Sequence, residues 1–232
     1  MSGDSNDYRR RFTELSRACR RPLPKSPDLD RPMSVKSDVI RFEEKNVTRR
    51  RIILTTVGCG VGSCVMCPFP AESDDEVTPQ NLIRQLESAF DGDSLENYEM
   101  VTVFCNGNFF SEREISPEVT DHLFARIGKS SVKTVTVESL PQFITQQRLR
   151  HVKSLLKADQ KLQVFMGLQS ADEFVRTTAV NTTCTTADFE RVVEAMMGLA
   201  FSPAAFVMIK APFLTEGEGI EDVLKTLRYL DS

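Results

Sequence analysis

Ile52-Ile-Leu-Thr-Thr-Val57, followed directly by Gly58-Cys-Gly-Val-Gly-Ser-Cys-Val-Met-Cys-Pro68, is the stretch from which the fold is read. The β-branched, apolar run predicts a strand entering the core. The loop behind it carries Cys59, Cys64 and Cys67, and glycines at 58, 60 and 62 let it wrap tightly. From this strand and loop the rest of the chain is read outward as a series of similar units.

Toward the C-terminus, strands alternate with helices. Further strands are predicted at 100–105, 132–137, 162–168 and 204–209. Thr78 with Pro79 starts the first helix, along which Leu82, Ile83, Leu86 and Phe90 share a face. Ser116-Pro117 opens the next, which Gly128 closes. A third runs from Thr145 to Leu156, a fourth is capped by Thr185 or Thr186, and the last covers 218–230. Strict strand-helix alternation implies a parallel sheet with right-handed crossovers, either doubly wound or a partial barrel. In both, ligands bind at the carboxyl ends of the strands. Asn106-Gly-Asn108, Glu138-Ser139 and Gln169-Ser170 fall there, beside the cysteine loop.

Toward the N-terminus, Pro22, Pro24, Pro27 and Pro32 stand among Ser, Asp and Lys, which reads as an extended lead-in. The expected division is a basic, proline-rich extension over 1–38 and a core domain over 39–232. Within 1–21, Arg9, Arg10, Arg11, Arg17, Arg20 and Arg21 outweigh Asp4, Asp7 and Glu14. A solvated helix is one reading of this segment, and a phosphate-contacting arm for tRNA or another polyanion is the other.

With 232 residues, 41% of them hydrophobic, the chain suits one large core. A net charge of -4 argues against a protein that coats nucleic acid over its whole surface. The most apolar later stretch, 192–214, is interrupted by Glu194, Gly198, Pro203 and Lys210, so no membrane span is expected. No apolar segment of signal-peptide type follows the arginines. Six cysteines without a signal peptide point to a reducing, cytoplasmic compartment, where clustered thiols are metal ligands rather than disulfides.

Three thiolates this close suit three irons of a cubane cluster, with the fourth iron open. Zinc is the competing occupant, with Cys105 as a fourth thiolate, His122 and His151 being the nearest histidines. Cys19 and Cys184 read as incidental thiols, and Glu72, Asp74, Asp75 and Glu76 as a solvated loop. Lys210 faces the cavity if the alternation from Phe206 through Met208 holds.

At the cysteine loop the chain resembles the radical S-adenosylmethionine superfamily, from about residue 50 onward. Thr55-Thr-Val-Gly-Cys59, Asn106-Gly-Asn-Phe-Phe110, Val137-Glu-Ser139, Gly167-Leu-Gln-Ser170 and Lys210-Ala-Pro-Phe-Leu-Thr-Glu216 resemble the branch of Elp3-like proteins and the archaeosine-synthase radical subunit, which acts on tRNA. The chain departs from the usual signature in having four residues between its first two cysteines. It also has Met66 where an aromatic residue is usual.

The resemblance implies a partial (β/α) barrel of the radical S-adenosylmethionine type, with about five strand-helix units where the usual core has six. It implies a 4Fe-4S cluster on Cys59, Cys64 and Cys67, whose open iron chelates S-adenosylmethionine and cleaves it to a 5′-deoxyadenosyl radical. Met66, Asn106, Gly107, Asn108, Glu138, Ser139, Gln169, Ser170 and Arg176 would contact that cofactor, Arg176 pairing with its carboxylate. The partners implied are a one-electron donor protein, a tRNA or small-molecule substrate, and a subunit completing the barrel. The alternative function is a non-catalytic iron-sulfur or zinc-binding protein.

Overall fold

The computed structural model describes residues 3–21, 28–91 and 93–232. Strands Ser34–Phe42 (β1), Lys45–Leu54 (β2), Met100–Cys105 (β3), Thr134–Ser139 (β4), Lys161–Gln169 (β5) and Ser202–Val207 (β6) form one sheet in sequence order. β1 and β2 are an antiparallel pair, whereas each later neighbour is parallel. Helices Pro79–Phe90 (α2), Pro117–Gly128 (α3), Gln146–Leu155 (α4) and Thr186–Met197 (α5) connect the parallel strands. Gly3–Cys19 (α1) precedes the sheet, and Glu216–Leu230 (α6) follows β6.

Right-handed crossovers between sequential neighbours put successive helices on the same face of a sheet. Here α2 packs on α3, α3 on α4 and α4 on α5. The result is a six-stranded, mostly parallel sheet flanked by helices, which resembles a partial (β/α) barrel in general terms. Alternation along each strand divides its side chains between two faces. Val101, Val103, Val135, Val137, Leu162 and Val164 meet Leu86, Phe124, Ile127, Leu149 and Val192 of the helices in one buried core. Burying each such side chain contributes about 1.5–3 kcal/mol. Phe109 sits edge-on to both Phe110 and Phe124, with centroids 5.5 and 5.9 Å apart.

The other face carries Thr102, Thr136 and Gln163, and then Phe104, Glu138, Phe165 and Phe206 nearer the carboxyl ends. Thr136 Oγ1 donates to Gln163 Oε1 at 3.2 Å. Phe165 and Phe206 stack at 4.9 Å, and Phe104 stands edge-on to both. Helix starts follow local side chains. Thr78 and Asn81 form a capping box, as do Thr215 and Glu218, while Thr145 and Thr185 each accept one backbone N–H.

The first predicted strand is displaced, and a strand ahead of it was not expected. β2 starts at Lys45 because its arginines are neutralised or satisfied beside the sheet. Arg49 is bidentate to Asp38 of β1 at 2.9 and 2.7 Å, and Arg50 donates to the carbonyl of Ala89 at the end of α2. Residues 55–57 leave the ladder, where buried Gln85 replaces a strand neighbour. Its Oε1 accepts from Thr55 N, and its Nε2 donates to Thr55 O and Leu29 O. The sheet therefore begins at Ser34, ahead of the expected start near Val39. The lead-in prolines Pro22, Pro24 and Pro27 lie outside the described residues. Among the described residues, no helix is long and apolar enough to cross a membrane.

Candidate functional site

The carboxyl ends of the parallel strands enclose a cavity of about 130 Å3. Its walls are Cys59, Cys64, Met66, Cys67 and Phe69 after β2, Gly107 and Asn108 after β3, and Glu138, Ser139 and Leu140 at the end of β4. Phe165, Gly167 and Gln169 of β5 and Phe206 of β6 complete it.

Two asparagines and one glutamate set the shape of these loops. Asn106 is buried, accepting from Thr56 N and Oγ1 and donating to the carbonyl of Glu72. Asn108 reaches three segments: Nδ2 donates to Cys59 Sγ at 3.2 Å and to Glu114, while Oδ1 accepts from Leu140 N at 2.9 Å. The buried carboxylate of Glu114 also accepts from Gly60 N at 3.0 Å and from Asn108 N. Gly107 lets that carboxylate approach, since a Cβ there would lie 2.0 Å from Glu114 Oε2. Gln169 takes a left-handed φ of 68° where β5 and β6 slip register, a sterically costly backbone on the cavity wall.

The basic helix α1 straps the cysteine loop from outside. Arg20 donates to the carbonyls of Gly62, Cys64 and Cys67, and Ser16 Oγ donates to Val65 O. Asn181 ties the strap to the loop before α5, donating to Arg9 O, Thr13 Oγ1 and Ser63 O while accepting from Arg9 Nε. Phe12 stacks on Phe213 at 4.8 Å. Arg10 and Arg11 both pair with Asp7. Arg9 and Arg20 are thus engaged within the protein, whereas Arg10, Arg11, Arg17 and Arg21 stay exposed, the first two in surface pairs with Asp7.

The expected metal chemistry is corrected by the placement of the thiols. Cys59, Cys64 and Cys67 face one cavity, yet among the described residues no group of three or more Cys, His, Asp or Glu side chains is arranged to hold a metal ion. This overturns the 4Fe-4S cluster and the S-adenosylmethionine cleavage that depends on it. The iron-sulfur and zinc alternatives fall with it. His122 pairs with Glu87 and His151 with Asp121, both between helices, while buried Cys105 has its thiol pKa raised well above the usual value.

Met66, Gly107, Asn108, Glu138, Ser139 and Gln169 line the cavity, but three other expected contacts turn elsewhere. Asn106 holds the loops, as above. Ser170 Oγ donates to Asp222 of α6 at 2.6 Å. Buried Arg176, on a π-helical turn over Val175–Ala179, donates to the carbonyls of Ser170, Ala171 and Cys184. Lys210 is also turned away, pairing with Glu216. Asp74 is buried and accepts from Glu76 N, so its loop is folded in rather than fully solvated.

Sequence reasoning missed Glu114 and the aromatic wall of Phe69, Phe165 and Phe206. For the two strand phenylalanines the signal was available: they alternate with helix-facing residues along β5 and β6. Glu114 sits in a charged loop and carries no such periodicity.

Glu138 combines exposure to the cavity with shielding from bulk solvent. Burial raises its carboxyl to about 7, opposed by the hydrogen bond that Oε1 accepts from Cys105 N at 3.1 Å. Near neutral pH it therefore exchanges between acid and carboxylate. The thiols differ from it in reactivity. Iodoacetamide at pH 8 is expected to modify exposed Cys19 ahead of Cys67 and Cys184, whose pKa values of about 11 and about 12 reflect burial. At that pH roughly one thiol in a thousand or fewer is ionised at the two buried positions. Peptide mapping by mass spectrometry reads the order, and equal rates at Cys19 and Cys67 would contradict the placement.

No family model matches the chain, and no solved structure matches it. It is 28% identical over 235 residues to an uncharacterized protein of Methanocaldococcus jannaschii, covering 95% of this chain and 63% of that protein. Archaeosine synthase subunit beta of Methanosarcina acetivorans is 25% identical over 181 residues, 76% of this chain and 52% of the relative. The corresponding subunit of Thermococcus kodakarensis is 24% identical over 192 residues, 78% of this chain and 59% of the relative. The chain is a distant relative of these proteins and spans about half to two thirds of their length.

Proposed function

We propose that the strand-end cavity binds a nucleobase, and that the chain serves a tRNA-modifying assembly related to archaeosine synthase. The observation that carries this reading is the pairing of a polar edge with an aromatic face in one cavity. Glu138, Ser139 and Gln169 supply the edge, and the stacked Phe165 and Phe206 supply the face. A base presents complementary surfaces: a flat π system and an edge of N–H donors and lone-pair acceptors. A carboxylate accepts from base N–H groups, and an amide gives or accepts according to its rotamer. The two named relatives support archaeosine as the nucleoside.

The volume agrees with a base rather than a whole cofactor. At about 130 Å3 the cavity is well below the range of ~300–1,000 Å3 usual for small-molecule sites. On this reading the base enters, while the sugar and any attached RNA remain at the mouth. The protein's contribution is to hold the base edge on Glu138 and its face on the phenylalanines.

Crystals soaked with archaeosine test the reading. The expected density places the base beside Phe206, with a ring N–H within hydrogen-bond distance of Glu138. Density for the nucleoside only on the outer helices, with the cavity unchanged, would overturn it.

A further inference from the structure

A second cavity, of about 620 Å3, is formed by the loops after β3 and β4 and the first two turns of α3 and α4. It shares no lining residue with the strand-end cavity. Its size falls within the ~300–1,000 Å3 usual for small-molecule sites.

Arg148 is the fixed point of this cavity. Its side chain is 14% exposed, its guanidinium lies 5.9 Å from the centroid of the Phe110 ring, and Nη2 donates to Thr120 Oγ1 at 3.1 Å. Nη1 donates to Glu112 at 2.9 Å, a carboxylate whose own side chain is 68% exposed. So exposed an ion pair contributes little, and a better acceptor can displace it. Two further groups on the wall are unengaged. Ser111 is only 4% exposed, and among the described residues its hydroxyl has no hydrogen-bond partner. Exposed Arg113, whose Nη1 lies beside Gly60, has no ion-pair or hydrogen-bond partner for its side chain among the described residues. The remaining charges, Asp121 and His151, are paired with each other at 2.7 Å. A buried hydroxyl without a protein partner needs one from the cavity.

We propose that this cavity binds a small organic phosphomonoester. The phosphate bridges Arg148 and Arg113, displaces Glu112 and accepts from Ser111 Oγ, while Phe110, Phe143 and Val152 give the organic part an apolar wall. A monoester brings a dianion to two arginines, whereas an internal nucleic-acid phosphate brings a single charge. Glu112 is thus an internal stand-in for the ligand. The site stands independently of what the strand-end cavity binds.

Calorimetric titration of the full chain with phenyl phosphate at pH 8, without nucleoside, tests this. Saturable binding is expected, and Glu112→Ala should tighten it roughly tenfold by removing the competing carboxylate, a gain that a purely structural Arg148 would not produce. Arg113→Ala should weaken it by a similar factor. Glu112 and Arg113 are both exposed, so neither change threatens the fold. Inorganic phosphate should compete more weakly, since it leaves the apolar wall bare. No saturable binding by Glu112→Ala, an affinity of that variant no higher than that of wild type, or unchanged affinity in Arg113→Ala would each overturn the proposal. So would inorganic phosphate binding as tightly as phenyl phosphate, or an oligoribonucleotide without terminal phosphates binding more tightly.

Discussion

Replacing Glu114 with Ala is expected to lower the unfolding free energy by about 3–5 kcal/mol, because it strands buried donors and opens a void. The carboxylate accepts from Gly60 N, Asn108 N and Asn108 Nδ2. Alanine leaves both backbone N–H groups in a buried loop without an acceptor. For a chain of this length, 1 kcal/mol moves the melting temperature by about 2–4 °C, so a fall on the order of 10 °C is expected. The loops after β2 and β3 meet through this carboxylate, so the cavity should loosen as well. Differential scanning calorimetry of the purified variant measures the effect. A shift within a degree of wild type would mean that the bonds contribute nothing net.

Glu138→Gln is expected to act in the opposite direction on stability. The folded-state pKa of Glu138, about 7, lies above its ordinary value of 4.5. Ionisation is therefore harder in the folded protein than in the unfolded chain. The stabilisation linked to the protonated form is complete below about pH 4.5 and is lost as pH rises through about 7. At 1.36 kcal/mol for each unit, the penalty above pH 7 is about 3 kcal/mol. Glutamine keeps an oxygen for Cys105 N and never ionises. The variant should match wild type at pH 4 and exceed it by up to about 3 kcal/mol at pH 8, with a flatter pH profile between. Urea unfolding at both values checks this, and equal stability at pH 8 would contradict the shielding of Glu138. Retaining such a group costs stability, a common trade where function requires it.

The parallel part of the sheet was legible because its signals are local. β3 was predicted at its observed bounds, since Met100-Val-Thr-Val-Phe-Cys105 is apolar and β-branched on both faces. α3 was bounded by Ser116-Pro117 and Gly128, although Ser116 Oγ makes no capping bond and is buried without a partner. β1 was not legible: Ser34–Phe42 is half-exposed, and its place depends on Arg49 and Arg50 finding partners far away in sequence. The site divided along similar lines. Strand-end positions such as Asn108 and Glu138 follow from topology. Whether Arg176 faces a ligand or three backbone carbonyls depends on the π-helical turn, which no spacing rule reveals. The cysteine spacing likewise fixed proximity to one cavity, but not the arrangement that a metal would need.

The two effects of Glu138 make the nucleobase reading separable from general damage to the protein. Calorimetric titration of archaeosine at pH 8 into wild type and Glu138→Gln is the most direct measurement. Losing one charge-assisted hydrogen bond is worth about 1.5–3 kcal/mol, so the variant should bind at least roughly tenfold more weakly while being the more stable protein. Equal affinity in the two proteins, or no binding by wild type, would contradict the account.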